Sequence, residues 1–216
     1  MKRTIDVVVG TFLAVLALPL ILLIAAAQAV SLRAWPFFVQ TRIGTRGVPF
    51  RIVKVRTLPV STDHYADKRA IESIPLTWVS RTLRRIHVDE LPQLLLVPIG
   101  RMSLVGPRPE MPFLHDQMPA SFAWRRTEVR PGCTGLWQIG HACGGLIVEG
   151  PEYDLHYVDN RSLLLDAWIV WRTIAMILDR STIGLDEVPV WLPGGYPVTS
   201  FTLGRACPEI EIDTAA

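Results

Sequence analysis

From Val7 to Leu32 the chain runs without a single charged residue, and no other feature limits its fold as strongly. A helix of about 20 apolar residues is enough to cross a bilayer, and this stretch exceeds it. It is too long for the apolar core of a signal peptide, and no small-x-small site closes it. Pro19, near its middle, removes a backbone hydrogen bond and bends a helix. The halves Val7–Leu18 and Pro19–Leu32 would each be about 18–21 Å long, short of a hydrocarbon core of about 30 Å. Lys2 and Arg3 stand before the stretch and Arg33 follows it, so the positive-inside rule gives it no direction. Two topologies stay open from these residues. One is a spanning helix; the other is a re-entrant helix that bends at Pro19 and keeps both flanks on one side.

The rest of the composition agrees with membrane attachment: 50% hydrophobic, 19% charged, mean hydropathy +0.30. A net charge of only +2 argues against a general nucleic-acid binder. The charge is segregated. Arg33, Arg42, Arg46, Arg51, Lys54 and Arg56 follow one another with no acid between them, whereas Asp186, Glu187, Glu209, Glu211 and Asp213 face only Arg205 after residue 185. A basic front suits a surface that meets phosphates. Cys133, Cys143 and Cys207, an odd set without a CxxC pair, predict reduced thiols rather than a disulfide framework or a zinc ribbon.

Beyond Arg33 the pattern is that of a small α+β domain. Phe37–Gln40 and Phe50–Leu58 flank a turn-rich segment with Gly44 and Gly47, and predict a short β-hairpin. In its second strand Phe50, Ile52, Val53 and Val55 are expected on a core, with Arg51, Lys54 and Arg56 facing out. Residues 59–75 read as a surface excursion. Leu83, Ile86, Leu91, Leu94 and Leu95 predict a helix over Leu76–Val97, which Pro92 bends or restarts. Ser162–Leu178 predicts a second, very apolar helix, lying either in the core or in the lipid interface.

Asp89 and Glu90 are the only acids between Glu72 and Glu110, and Arg81, Arg84, Arg85, Arg101 and Arg108 surround them in sequence. Arginines can hold phosphates by paired hydrogen bonds. A carboxylate among them can carry a divalent cation or attack phosphorus. The same spacing also fits a solvated helix face with ion pairs such as Arg85 to Asp89. Arg108 stands between Pro107 and Pro109 after Gly106, and Arg130 precedes Pro131-Gly132. Each is an arginine on a stiff turn, suited to clamping a phosphate.

VDELPQLLLVPIGRMSLVGPRP (88–109) resembles the signature of the bacterial sugar transferases, the monotopic phosphoglycosyl transferases. KRTIDVVVG, the Leu18-Pro19 step, TRIGTRGVPFRIVKVRTL, VRPGCTGLWQ and YDLHYVDNRSLLLD follow in the family's order, so the resemblance covers about residues 2–180. It implies a short-form enzyme of three parts: a re-entrant membrane helix over 1–33 broken at Pro19, a catalytic domain over 34–180 with interfacial amphipathic helices, and an acidic tail over 181–216. It also implies an activity. A sugar 1-phosphate passes from a UDP-sugar to polyprenyl phosphate through a covalent aspartyl intermediate, with release of UMP, as the first membrane step of exopolysaccharide, capsule, O-antigen or glycoconjugate assembly.

By the same resemblance Asp89 is the nucleophile. Glu90 is a base or shares Mg²⁺ with Asp89. Arg108, Arg85, Lys54 and Arg56 are phosphate contacts, to which the stiff turn at Arg130 adds a candidate of its own, and Asp154 is a further site residue of unassigned role. Membrane lipid is an implied partner, downstream glycosyltransferases are possible ones, and the cytoplasmic face of the bacterial inner membrane is the implied place. This chain departs from the family in three places. Leu18 replaces the serine before the helix proline. Leu96 and Arg101 stand where the family has Asn and Asp. Gly140-His141-Ala142 replaces an Asn-Gly-Arg. These losses leave a second reading, a catalytically lapsed membrane scaffold. A third, an anchored nucleotide glycosyltransferase, would release UDP instead of UMP.

Overall fold

A computed structural model describes residues 1–62, 74–179 and 181–195. A single helix, α1 (Lys2–Leu32), contains Pro19 and is followed by Arg33 in the left-handed region. It is long and apolar enough to cross a membrane. Around Pro19 one side is bare: Val15, Leu16, Leu18 and Leu20 are exposed, while Ala14 and Ile21 are buried. The two ends of the helix both pack on the same globular body. Near the start, buried Asp6 accepts hydrogen bonds from Ser103 Oγ (2.8 Å) and Leu104 N (3.2 Å). Arg3 donates to the carbonyls of Val97 and Pro98, each at 2.7 Å. Near the end, Gln28 Nε2 donates to Ser80 Oγ at 3.0 Å, and Ile24 packs with Val55 and Leu83.

The expected hairpin is present, with its first strand running on to Ile43 and its second ending at Val55 instead of Leu58. Strand β1 (Phe37–Ile43) pairs antiparallel with β2 (Pro49–Val55), with Phe38 opposite Lys54 and Arg42 opposite Phe50. Strand period two puts Phe50, Ile52 and Lys54 on one face. Phe50 and Ile52 sit in a small core with Val97 and Met102. Lys54 therefore points inward with them, which corrects its expected outward position; Arg51 is exposed as expected.

The helix predicted over Leu76–Val97 is two elements. Helix α2 (Trp78–Arg85) is capped by the Thr77 hydroxyl, which accepts from Ser80 N. His87 then takes φ 56°, and a 3₁₀ helix runs over Val88–Leu96. The break falls at His87, ahead of Pro92. Arg85 and Asp89 thus do not stack on one continuous helix face, the geometry that the solvated ion-pair reading requires.

Strand β3 (Ser103–Val105) pairs in parallel with β4 (Gly132–Thr134). Around this pair lie α3 (Pro112–His115), α4 (Ala120–Thr127), α5 (Leu136–Ile139), α6 (Pro151–Asn160) and α7 (Leu163–Asp179). The main core gathers Val105, Phe122, Leu136, Ile139, Tyr157, Leu165 and Ile169. Helix α7 buries one face in the core and leaves the other exposed. Leu165, Trp168 and Ile169 are buried, while Leu164, Trp171, Ile174 and Leu178 are exposed.

The start of the expected acidic tail belongs to this core. Ile183 bridges to Gly140, and Ile183, Val188 and Leu192 are buried in it. Residues 196–216, with the other tail acids and Cys207, and most of the 59–75 excursion lie outside the described residues. Cys133 and Cys143 are free thiols.

Candidate active site

The site is assembled where the 3₁₀ helix meets the inner face of the hairpin. Glu90 is its hub. Its Oε1 accepts from Lys54 Nζ at 2.7 Å and from Arg108 Nη2 at 2.9 Å. Arg108 Nη1 reaches Oε2 at 3.4 Å. Burial pushes the Glu90 carboxyl up, but Arg108 and Lys54 outweigh it and hold the group well below the usual carboxylate range.

Asp89 is the contrasting neighbour. It is buried, yet among the described residues its carboxylate forms no ion pair or hydrogen bond with another side chain. Burial and the adjacent Glu90 charge raise its pKa to about 6, against the pull of Lys54 and Arg84. One acid is thus neutralised by two cations, while the other is desolvated and uncommitted. Paired acids with divergent environments are the arrangement that divides chemical roles.

Arg108 is held by backbone geometry as well as by Glu90. The two stiff loops singled out in the sequence lock together. Gly132 N donates to Pro107 O at 2.9 Å, Gly106 N to Thr134 O at 2.9 Å, and Ser103 N to Pro131 O at 2.8 Å. A Cβ on Gly106 would strike Arg130 O, and one on Gly132 would strike Gly106 N, so both glycines are required for the close approach. Beneath the loop, Arg126 Nη2 donates to Arg108 O at 2.6 Å. Arg126 Nε in turn donates to Asp154 Oδ2 at 3.0 Å, with both side chains almost wholly buried.

The predicted site residues divide into two groups. Lys54, Glu90 and Arg108 converge beside Asp89. Asp154 stands one residue removed and acts on Arg108 through Arg126. The others lie elsewhere. Arg56 donates to the carbonyls of Trp35 (3.0 Å) and Phe37 (3.3 Å) and stacks over Phe38, which ties down the hairpin entry. Arg85 is exposed on the last turn of α2, and the charge that reaches Asp89 from that turn is Arg84's. Arg130 Nε donates to Gly100 O at 3.1 Å and lines a different cleft.

Sequence reasoning missed Arg42, Glu110 and Arg126. Arg42 Nη1 bridges Glu110 Oε1 at 2.9 Å on the same hairpin face as Lys54. A hairpin turning about Arg46 puts Arg42 and Lys54 on one face, so the parity of the strands carried that signal. Nothing in the sequence marked Arg126.

Two adjacent carboxylates fit Mg²⁺ in the manner of sites that take one or two carboxylates plus substrate phosphates. Among the described residues no cluster of three or more His, Cys, Asp or Glu side chains offers an all-protein cage. The Asp89 carboxylate has no side-chain partner among the described residues, and Glu90 Oε2, contacted only at 3.4 Å, keeps acceptor capacity.

The site is thus a carboxylate pair among guanidinium and ammonium groups, on a domain fastened to an apolar helix. The pattern of the bacterial sugar transferases matches residues 1–180, and the chain belongs to that family. It is 39% identical over 185 residues to the UDP-glucose:undecaprenyl-phosphate glucose-1-phosphate transferase of Caulobacter vibrioides, covering 82% of this chain and 69% of that one. It is 35% identical over 200 residues to the exopolysaccharide production protein ExoY of Sinorhizobium fredii, covering 84% and 87%. It is also 35% identical over 187 residues to the UDP-N-acetylgalactosamine-undecaprenyl-phosphate N-acetylgalactosaminephosphotransferase of Aeromonas hydrophila, covering 82% and 43%.

Proposed function

We propose that this protein moves a sugar 1-phosphate from a UDP-sugar to undecaprenyl phosphate in two displacements at Asp89. In the first, an Asp89 oxygen attacks the phosphorus bonded to the sugar. The bond from that phosphorus to the oxygen of the uridine-bearing phosphate breaks, UMP leaves, and the phosphosugar stays on the carboxylate. In the second, an oxygen of undecaprenyl phosphate attacks the same phosphorus and the Asp89 carboxylate leaves. Lys54 and Arg108 hold Glu90 and offer cationic donors to phosphoryl oxygens, whose charge changes as the bonds exchange. Mg²⁺, carried by Asp89 and Glu90 with the donor's phosphates, would supply further neutralising charge. The observation that carries this reading is the uncommitted, desolvated Asp89 beside a fully charge-compensated Glu90.

The packing of both ends of α1 on one body supports a re-entrant helix with both flanks on one side of the membrane, and by the family likeness that side is the cytoplasmic face of the inner membrane. Of the replaced family positions, Arg101 is exposed and His141 bonds Thr182 at 2.8 Å. The kept Asp89-Glu90 pair, with Lys54 and Arg108 on Glu90, favours activity over a lapsed scaffold.

The decisive measurement supplies membranes, undecaprenyl phosphate and a panel of labelled UDP-sugars. UMP release with label trapped on the protein is expected, and both are lost in Asp89→Asn. UDP as the product, or a protein that never carries label, overturns the reading.

A further inference from the structure

A cleft of about 580 Å³, lined by none of Asp89, Glu90, Lys54 and Arg108, is strongly basic. Lys2, Arg3, Arg46, Arg130 and Arg161 face it, against Asp6 and Glu128. These cations come from four separate places: the first turn of α1, the hairpin tip, the loop before β4, and the link between α6 and α7. Tertiary folding gathers them, so their clustering does not follow from a basic run in the sequence.

The acids do not balance them. Asp6 is taken up by Ser103, Leu104 and Lys2, and Glu128 pairs with Arg125. Lys2 is also bound to Asp166 at 2.6 Å, and Arg3 and Arg130 hold backbone carbonyls. The Arg46 and Arg161 side chains, by contrast, make no ion pair or hydrogen bond with any other described residue. Arg46 is moreover held at φ 56°, in the left-handed region that side-chain-bearing residues rarely adopt. Strain of this kind persists where a structure needs a side chain in a set position.

The cleft also adjoins the apolar helix α1. Lys2, Arg3 and Asp6 form its α1 wall, and the exposed apolar face of that helix begins at once with Val8, Phe12 and Val15. We propose that this cleft is a second phosphate-binding site, taking the phosphate of an anionic membrane lipid through Arg46 and Arg161. Guanidinium groups suit such a phosphate because their planar forks match its oxygens, and basic residues beside a membrane segment favour anionic headgroups. The proposal rests on the membrane attachment of α1 and not on the transfer chemistry.

The test uses the full-length protein in nanodiscs of phosphatidylcholine alone, with added phosphatidylglycerol, or with added polyprenyl phosphate. Lipid retained on the released protein is counted by native mass spectrometry. The wild type is expected to keep an anionic lipid, and R46A/R161A to lose retention about tenfold or more. Arg46→Lys with Arg161→Lys should recover part of it. Phosphatidylglycerol retained would mark a structural lipid site, and polyprenyl phosphate retained in preference would mark acceptor docking; either sustains a lipid phosphate.

Equal retention by wild type and R46A/R161A overturns the proposal, as does phosphatidylcholine held as tightly as the anionic lipids. Binding of inorganic phosphate in place of lipid, dependent on the same two arginines, reassigns the cleft to a soluble anion and overturns it too. Both arginines are exposed and neither belongs to the Asp89–Glu90 cluster, so an unchanged thermal midpoint serves as the folding control. UMP release, assayed on the same samples, reports separately on Asp89. Loss of transfer with lipid retained leaves this site standing.

Discussion

Asp89 and Glu90 are sequence neighbours with opposite electrostatics, and the difference sets a pH dependence. Asp89 must be ionised to attack, and its pKa is raised to about 6. The rate of phosphosugar-adduct formation should therefore be low below that pH, climb through it, and level off above. Removing the Glu90 charge in Glu90→Gln takes away one cause of the raised pKa, so the acid limb should move to lower pH even as the rate falls. Single-turnover labelling across pH 4–8 would check both points. Asp154 makes a different residue-scale prediction. Breaking a buried ion pair by removing one partner costs about 3–5 kcal/mol, so Asp154→Ala should show a strong fall in the denaturation midpoint. The double change Asp154→Leu with Arg126→Met removes both charges and should recover stability. It should not recover transfer, because Arg108 O would still lack its donor.

At the scale of elements, two contacts position the chemistry. The first is the lock between the Gly106–Pro109 and Arg130–Gly132 loops, made at backbone distance. Gly132→Ala forces a methyl into Gly106 and should cost about 1–3 kcal/mol in unfolding free energy, as overpacking does. The same change should lower transfer more than it lowers donor binding, since it displaces Arg108. The second is the fastening of α1 at both ends. Asp6→Ala would leave Ser103 Oγ and Leu104 N without their acceptor, at about 1–3 kcal/mol. With the native cysteines replaced, single cysteines at positions 2 and 33 should both react with an impermeant thiol reagent from one side of a sealed vesicle. Labelling from opposite sides would mean a spanning helix.

The whole molecule presents apolar side chains in a way that a water-soluble domain of this size rarely does. The bare side of α1 and the outer face of α7 together leave Val15, Leu16, Trp171, Ile174 and Leu178 exposed. If these meet lipid, tryptophans on α7 should respond by position. In single-tryptophan variants, brominated lipid should quench Trp171, which is 58% exposed, and spare Trp168, which is 9% exposed. Equal quenching of the two would mean that α7 lies away from the bilayer.

The apolar run of α1, the hairpin strands, the apolar α7 and the acid pair were all legible because each depends on neighbours in the chain. Hydropathy, strand alternation and adjacency are local properties. The helix break at His87 was hidden because Leu91, Leu94 and Leu95 keep helical spacing on either reading. What the sequence left undecided was partnership over distance. Lys54 and Arg108 reach Glu90 across 36 and 18 positions, and Arg126 finds Asp154 across 28. Arg56 and Arg130 looked equivalent to Arg108 in the sequence and were drawn to backbone carbonyls instead. A charged side chain goes where burial and a partner together repay its desolvation, and packing alone decides which partner that is.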